Sequence, residues 1–267
     1  MNKFIFFSIF FIIIFGATVF FRGDIRDLAL ELDKIGLPQE TRIPLQSVAP
    51  LKSTAMTPTS SPIPTVKPDS INLAVPFSPQ APLGDWSLPY QEACEETSAI
   101  LVDRFYKNES ITPEEAKQEI LSLVDWEKGK FGYYMHTTTA ETAKIMREYF
   151  GYKRVDVLED VTVEDIKSHL FAGRPVIVPV AGRLLGNPYY TQPGPIYHVF
   201  VIKGVTKDGD FITNDVGTRR GQNYVYDDEV LFDAIHDAPT GGDGWTVTSI
   251  EEYVLTGKKT IIVVYPN

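Results

Sequence analysis

The chain of 267 residues has a single cysteine, Cys94, so no internal disulfide can form and none is needed to hold the fold. It has neither a second cysteine nor a His-x-x-x-His spacing, and its four histidines are scattered. That argues against a zinc site of the usual kind, and no metal or cofactor is expected. Positive charge is also scarce. The 25 Lys and Arg against 35 Asp and Glu leave a net charge of -10. Phosphate binding needs concentrated Lys and Arg, so no nucleic-acid partner is expected. No internal repeat is visible. Beyond these absences the composition is that of a globular protein, 43% hydrophobic and 22% charged. The length suits one sizeable domain with appendages, or two small ones.

The chain opens on an almost unbroken apolar run, Phe4 to Phe21, flanked by Lys3 and Arg22. As a helix it is about 27 Å long, close to the thickness of a bilayer core. Residues 1–21 are therefore expected to act as a signal anchor rather than a cleaved signal peptide, because the core is long and no clean small-x-small site precedes Arg22. The bulk of the chain is expected outside the cytoplasm, tethered to the membrane, or secreted if the segment is cut. Residues 22–70 follow as a stalk. Arg22 to Ile35 has the spacing of a short amphipathic helix stopped by Gly36 and Pro38. From Thr41 to Ser70 the sequence is rich in Pro, Ser and Thr and too poor in apolar residues for a core, which predicts an extended tether. Residues 71–267 form the expected folded domain.

Within that domain, AILVDRF behind Cys94 has helical apolar spacing. Thr112 with Glu115, Thr138 with Glu141 and Thr162 with Asp165 are helix starts, the first carrying Pro113 in its first turn. Gly151 and Gly173 mark two helix ends. The second half turns to strands: Pro175 to Ala181, Ile196 to Val205, a DG turn into Phe211 to Thr213, Asn223 to Tyr226, and Thr260 to Tyr265. A helical first half followed by an antiparallel sheet is an α+β arrangement. The Cys94 helix should pack on that sheet and hold the thiol over its edge.

A thiol in the first turn of a helix meets the positive end of the helix dipole, which favours the thiolate. Cys94 is accordingly a candidate nucleophile, although a lone cysteine also serves as a small buried apolar residue. His198 shares a strand face with Ile196, Phe200 and Ile202, and is either a satisfied core histidine or a base. The strand after the DG turn ends at Asn214-Asp215, and in a hairpin Asp215 can come level with His198 and orient its ring. Asn214 could do the same with its amide, and Asp215 could instead be a turn former before Gly217. Gln80 and Gln91 are candidate oxyanion donors, with the Cys94 backbone N–H as a second donor. Gln80 is preferred, because Gln91, three residues before Cys94, can instead cap the helix. Glu95 and Glu96 read as helix-start residues that oppose thiolate formation. His136, in GYYMHTTT, is placed near a cleft, while His169 and His236 are weaker candidates.

Together, VPFSPQAPLGDWSLPYQEACEETSAIL, PIYHVFVIKGV and FITNDVGTRRG resemble the papain-like cysteine peptidases of the thirty-ninth cysteine-peptidase family. That family includes the double-glycine leader peptidases of bacteriocin export. The resemblance covers about Leu73 to Tyr265 and is to the stand-alone, membrane-anchored branch. It implies a papain-like fold with Cys94 as nucleophile, His198 as general base, Asp215 as orienting acid and Gln80 as oxyanion donor. It also implies a monomer acting on peptide or protein substrates. Glu95-Glu96 departs from the Gly-Pro that many relatives carry after the cysteine, and no transporter domain is attached, which argues against a bacteriocin leader as substrate. The alternatives are an inactive papain-like binding module, a cell-wall stem-peptide amidase and a plain structural surface protein. The loops RLLGNPYYTQPGP and HDAPTGGDGW are expected to border the cleft.

Overall fold

Each of the three Thr-led helix starts opens a helix. The computed structural model describes residues 27–32, 34–42, 69–242 and 250–267. The apolar run Phe4–Phe21 and the tether over 43–68 lie outside them. Among the described residues no helix is long and apolar enough to cross a membrane. The chain divides into two units, Met1–Leu37 and Pro38–Asn267. In the first, residues 27–32 are helical, as the amphipathic spacing predicts, and Gly36 adopts φ +98° just beyond.

The second unit begins its helices with α1 (Cys94–Lys107), which ends on Asn108 in the left-handed conformation. Helix α2 (Pro113–Lys130) starts at Thr112, whose hydroxyl accepts the Glu115 N–H while the Glu115 carboxylate accepts the Thr112 N–H. The same reciprocal pair, worth about 1 kcal/mol at a helix start, opens α3 (Thr139–Lys144) at Thr138 and α4 (Val163–Phe171) at Thr162. A wider π turn continues α3 over Ile145–Tyr149, and Gly151 follows at φ +80°. Helix α2 runs four residues past the expected end at Trp126.

The strands are β1 (Ile71–Asn72), β2 (Val155–Glu159), β3 (Val176–Val180), β4 (His198–Val205), β5 (Phe211–Asn214), β6 (Gln222–Tyr226) and β7 (Thr260–Val264). They form one seven-stranded sheet in the order β2-β7-β3-β4-β5-β6, with β1 added on β4. Every pairing between these strands is antiparallel. The fold is thus α+β, helices followed by an antiparallel sheet. Two strands depart from that order: β1 precedes the helices, and β2 falls among them and pairs with the last strand, β7. Two helices that the spacing did not predict, α5 (Asp228–Ala234) and α6 (Ile250–Val254), lie in the second half.

Strand β4 is buried along its whole length and sits between β3 and β5. Helix α1 packs between β4 and α2, so Cys94 to Asp103 are all buried. The hydroxyl of Ser98 donates to the Cys94 carbonyl at 2.7 Å and lies 3.2 Å from the Val199 carbonyl. The start of the helix is thereby tied to the start of the strand. Buried Lys203 on β4 pairs with Glu40 and donates to Asn223 Oδ1 at 2.8 Å, while Asn72 Nδ2 donates to the Pro38 carbonyl at 3.1 Å. Residues 38–42 therefore dock on the sheet beside β1.

Candidate active site

Cys94 is the first residue of α1 and is 6% exposed. Ala93, the residue before it, receives the Thr97 N–H at 3.1 Å and the Thr97 hydroxyl at 2.6 Å on its carbonyl. The thiol donates to Glu95 Oε2 at 2.9 Å. Burial pushes the Cys94 thiol well above its ordinary pKa, and the neighbouring Glu95 and then Glu96 push it further. The helix dipole therefore does not by itself make a thiolate here.

His198 opens β4, opposite Val180 on β3, and is 2% exposed. Its Nε2 lies 2.9 Å from Asp215 Oδ1. Asp215 stands one residue beyond the end of β5 and is fully buried. Its carboxylate gathers five contacts. Besides His198, Oδ1 accepts the Gly217 N–H at 3.0 Å, and Oδ2 accepts Tyr190 and Tyr226 hydroxyls, both at 2.6 Å, and Asn187 Nδ2 at 3.1 Å. Burial pushes the Asp215 carboxyl up, but the His198 contact outweighs it together with Tyr190 and Tyr226, and the pKa falls below its ordinary value. Asp215 is thus held ionised beside the imidazole.

Continued from Val201↔Asn214, the hairpin register puts Gly217, not Asp215, across from His198. A Cβ on Gly217 would lie 2.8 Å from His198 Nε2 and 3.2 Å from a Tyr190 ring carbon. Only a glycine lets the ring reach Asp215. Asn214, offered by the sequence as an alternative orienting group, turns elsewhere: its Nδ2 donates to the Val75 and Pro76 carbonyls at 3.1 and 2.9 Å.

That clamp fixes the segment leading to Gln80, whose own N–H donates to the Val216 carbonyl at 2.9 Å. The Gln80 side chain is buried. Its Nε2 donates to the Tyr90 and Gln91 carbonyls at 3.1 and 2.7 Å, and its Oε1 has no hydrogen-bond partner. Both amide protons are therefore engaged. Gln91 does not cap α1, because its amide reaches Glu92 at 3.2 Å.

Glu95 and Glu96 lie in the first turn of α1, as their position suggests, and are 1% and 0% exposed. Glu127 of α2 is buried with them. None of the Glu96 and Glu127 carboxyl oxygens has a hydrogen-bond partner, which disfavours their ionised forms. Burial raises the pKa of Glu95, Glu96 and Glu127 alike.

A cleft of about 550 Å³ collects these parts. Cys94, His198, Gln80 and Gly217 line it, together with Trp86, Gln91, Glu92, His136, Tyr197 and part of the RLLGNPYYTQPGP loop. His136 reaches the cleft as expected, with φ +54°, and its Nδ1 lies 3.9 Å from Glu92 Oε2. Of the remaining histidines, His169 receives the Arg174 Nε–H at 3.2 Å and His236 Nδ1 lies 2.9 Å from the Gly257 carbonyl. Residues 243–245 of HDAPTGGDGW lie outside the described residues, and its described part does not line this cleft. Sequence reasoning missed Tyr190, Tyr226 and Asn187, the outer partners of Asp215, and Gly217. Only Gly217 left a signal, as a glycine two residues past the candidate acid.

The model of the family described as the Peptidase_C39 like family matches residues 72–237. The chain is similar to a solved structure from Bacillus anthracis described as a C39-like peptidase, at 12% identity and a TM-score of 0.45, over 74% of this chain and 98% of that one. It is also similar to a fragment of prointerpain A from Prevotella intermedia, at 19% identity and a TM-score of 0.28. That likeness covers 46% of this chain and 31% of the fragment. No curated protein matches the chain.

Proposed function

This chain belongs to the Peptidase_C39 like family, and from that premise we propose that it hydrolyses peptide bonds through a Cys94–His198–Asp215 triad. The observation that carries the proposal is the Asp215 contact to the Nε2 of His198, which lines one cleft with Cys94. With Nε2 engaged, Nδ1 is the ring nitrogen available to the thiol. Nδ1 takes the Cys94 proton, the thiolate attacks the peptide carbonyl, and the imidazolium returns the proton to the leaving amine. Water, activated by the same nitrogen, then hydrolyses the thioester. Asp215 holds the ring in position and stabilises the imidazolium. The oxyanion is placed at the Cys94 N–H, which has no acceptor within its helix. Gln80 joins as a donor when substrate displaces one of its two backbone carbonyl partners.

In this reading the apolar run Phe4–Phe21 is a signal anchor, residues 22–70 are the stalk, and a monomeric catalytic domain meets peptides or proteins outside the cytoplasm. This is the stand-alone, membrane-anchored form of the family. Hydropathy and the flanking Lys3 and Arg22 support it. A second reading is favoured by one observation: the thiol is buried and bonded to a carboxylate, as in an inactive module that only binds. Turnover of a fluorogenic peptide library separates the two. Activity is expected in the wild type and is lost in Cys94→Ala and in His198→Ala. Full activity in Cys94→Ala contradicts the nucleophile assignment.

A further inference from the structure

The triad leaves Glu95 unused, although its Oε2 is 2.9 Å from the candidate nucleophilic sulfur. Glu95 is 1% exposed, and its Oε1 has no hydrogen-bond partner. The groups that act on it electrostatically are Cys94 and Glu96 on α1, Glu92 in the turn before it, Glu127 on α2 and Tyr197 in the loop before β4. Each of these is an acid, and none can supply a positive charge. A carboxylate in that setting is disfavoured, because a buried charge needs a paired charge or several donors. Two adjacent acids in contact also cannot both ionise readily, so they give up one proton between them long before the second.

The location of the remaining proton decides what the pair does. If Glu95 were the ionised member, the sulfur would stay a thiol and the cleft would be inert. If the sulfur is the ionised member, its negative charge sits in the cleft that His198 lines, and Glu95 retains an O–H aimed at it. We infer that Glu95 is a direct partner of the nucleophile, which keeps its own proton and donates it as a hydrogen bond to the Cys94 thiolate. The S–H bond breaks, its proton goes to His198 Nδ1, and the Glu95 O–H bond stays intact. This inference rests on Cys94 being the nucleophile. It reconciles the buried, carboxyl-bonded thiol with a working one, because the neighbouring acid becomes a donor instead of a competing charge. It also separates the two adjacent glutamates by role. Glu95 contacts the sulfur, whereas neither carboxyl oxygen of Glu96 has a hydrogen-bond partner.

The test is the pH dependence of Cys94 alkylation by iodoacetamide in the full-length protein, comparing wild type, Glu95→Gln and Glu95→Leu. Because Cys94 is the one cysteine, the labelling reports that site alone. The amide of Glu95→Gln can still donate, so its thiol should titrate close to the wild-type position. Glu95→Leu cannot, so its thiol should titrate higher and label about tenfold more slowly at neutral pH, the size expected for losing one hydrogen bond to an ion. A lower thiol titration in both variants would mean that Glu95 acts as a suppressing charge, and unchanged titration in both would mean that it only fills space. Either result overturns the inference. If Glu95→Leu does not fold, the wild-type minus Glu95→Gln infrared difference spectrum at neutral pH decides. It should contain a protonated-carboxyl C=O band, and a carboxylate band in its place overturns the inference. Peptide hydrolysis that survives Cys94→Ala would instead overturn the assignment of Cys94 as nucleophile, with the alkylation titrations unaffected, so the two failures are distinguishable.

Discussion

Asp215 and Glu95 are carboxyl groups buried to the same degree, each in contact with a residue that lines the cleft, with opposite electrostatic outcomes. Asp215 receives five contacts from His198, Gly217, Tyr190, Tyr226 and Asn187, and is held in its ionised form. Glu95 has one neighbour in hydrogen-bond contact, the thiol, with acids around it, and its pKa rises. Burial alone does not set the charge of a carboxyl group. The number of donors aimed at it does. In the proposed mechanism the difference has a use: one carboxylate stays negative to orient and stabilise an imidazolium, and the other stays neutral beside a sulfur that must become negative.

The comparison breaks most visibly if the donors around Asp215 lose their acceptor. Asp215→Leu strands an imidazole N–H, a backbone N–H, two hydroxyls and an amide inside the protein. The expected cost is about 3–5 kcal/mol in denaturant unfolding. Wild-type stability in this variant would mean that the donor cage does not hold the ion. Asp215→Asn is milder: its oxygen can face His198 while its amide meets the two hydroxyls, so activity should fall less than in His198→Ala.

Next in size is Gly217→Ala. The added methyl would sit 2.8 Å from His198 Nε2, so the ring has to leave Asp215. A fall in kcat/KM of about a hundredfold is expected, the scale of a misplacement of about 1 Å at a reacting group. A crystal structure of the variant should show the His198–Asp215 contact lengthened. Unchanged kinetics would show that the contact does not position the base.

The smallest effect sharpens the other half of the comparison. Glu127 is pushed up to about 12 and Glu96 to about 7, both above the unfolded value near 4.3. The folded state therefore holds protons that the unfolded chain releases as pH rises, so stability falls with rising pH above about 4.3. Glu127→Gln removes one such proton. Its stability, measured by denaturant titration from about pH 5 to 8, should fall less steeply than the wild type's, by about 1 kcal/mol per pH unit. Parallel curves would mean that Glu127 is ionised in the fold.

Much of this arrangement is legible in the sequence. Thr112, Thr138 and Thr162 each announced a helix, because a hydroxyl and an acid three residues apart satisfy the first backbone donors within one turn. The strand that carries His198 and the DG turn after it set the hairpin, although its register brings Gly217 rather than Asp215 level with the histidine. What stayed hidden depends on distant packing. VDVLE has no hairpin turn to tie it to a neighbouring strand, and its partner β7 is about a hundred residues away. Tyr190 and Tyr226 gather on Asp215 from a loop and a separate strand, with no spacing to reveal it. Glu95 and Glu96 have the local signature of a helix start, which leaves their burial open. Only the packing of α1 between β4 and α2 shows that they are inside. The two bonds that engage Gln80 Nε2 were likewise out of reach, since they go to backbone carbonyls ten and eleven residues on.

The central claim is that the Cys94 sulfur depends on the His198 imidazole, and labelling of full-length protein by an iodoacetamide-based probe at neutral pH tests it most directly. The account predicts rapid modification of the wild type and a rate lower by about a hundredfold or more in His198→Ala, the range attributed to a lost general base. Equal labelling rates in the two proteins would contradict it.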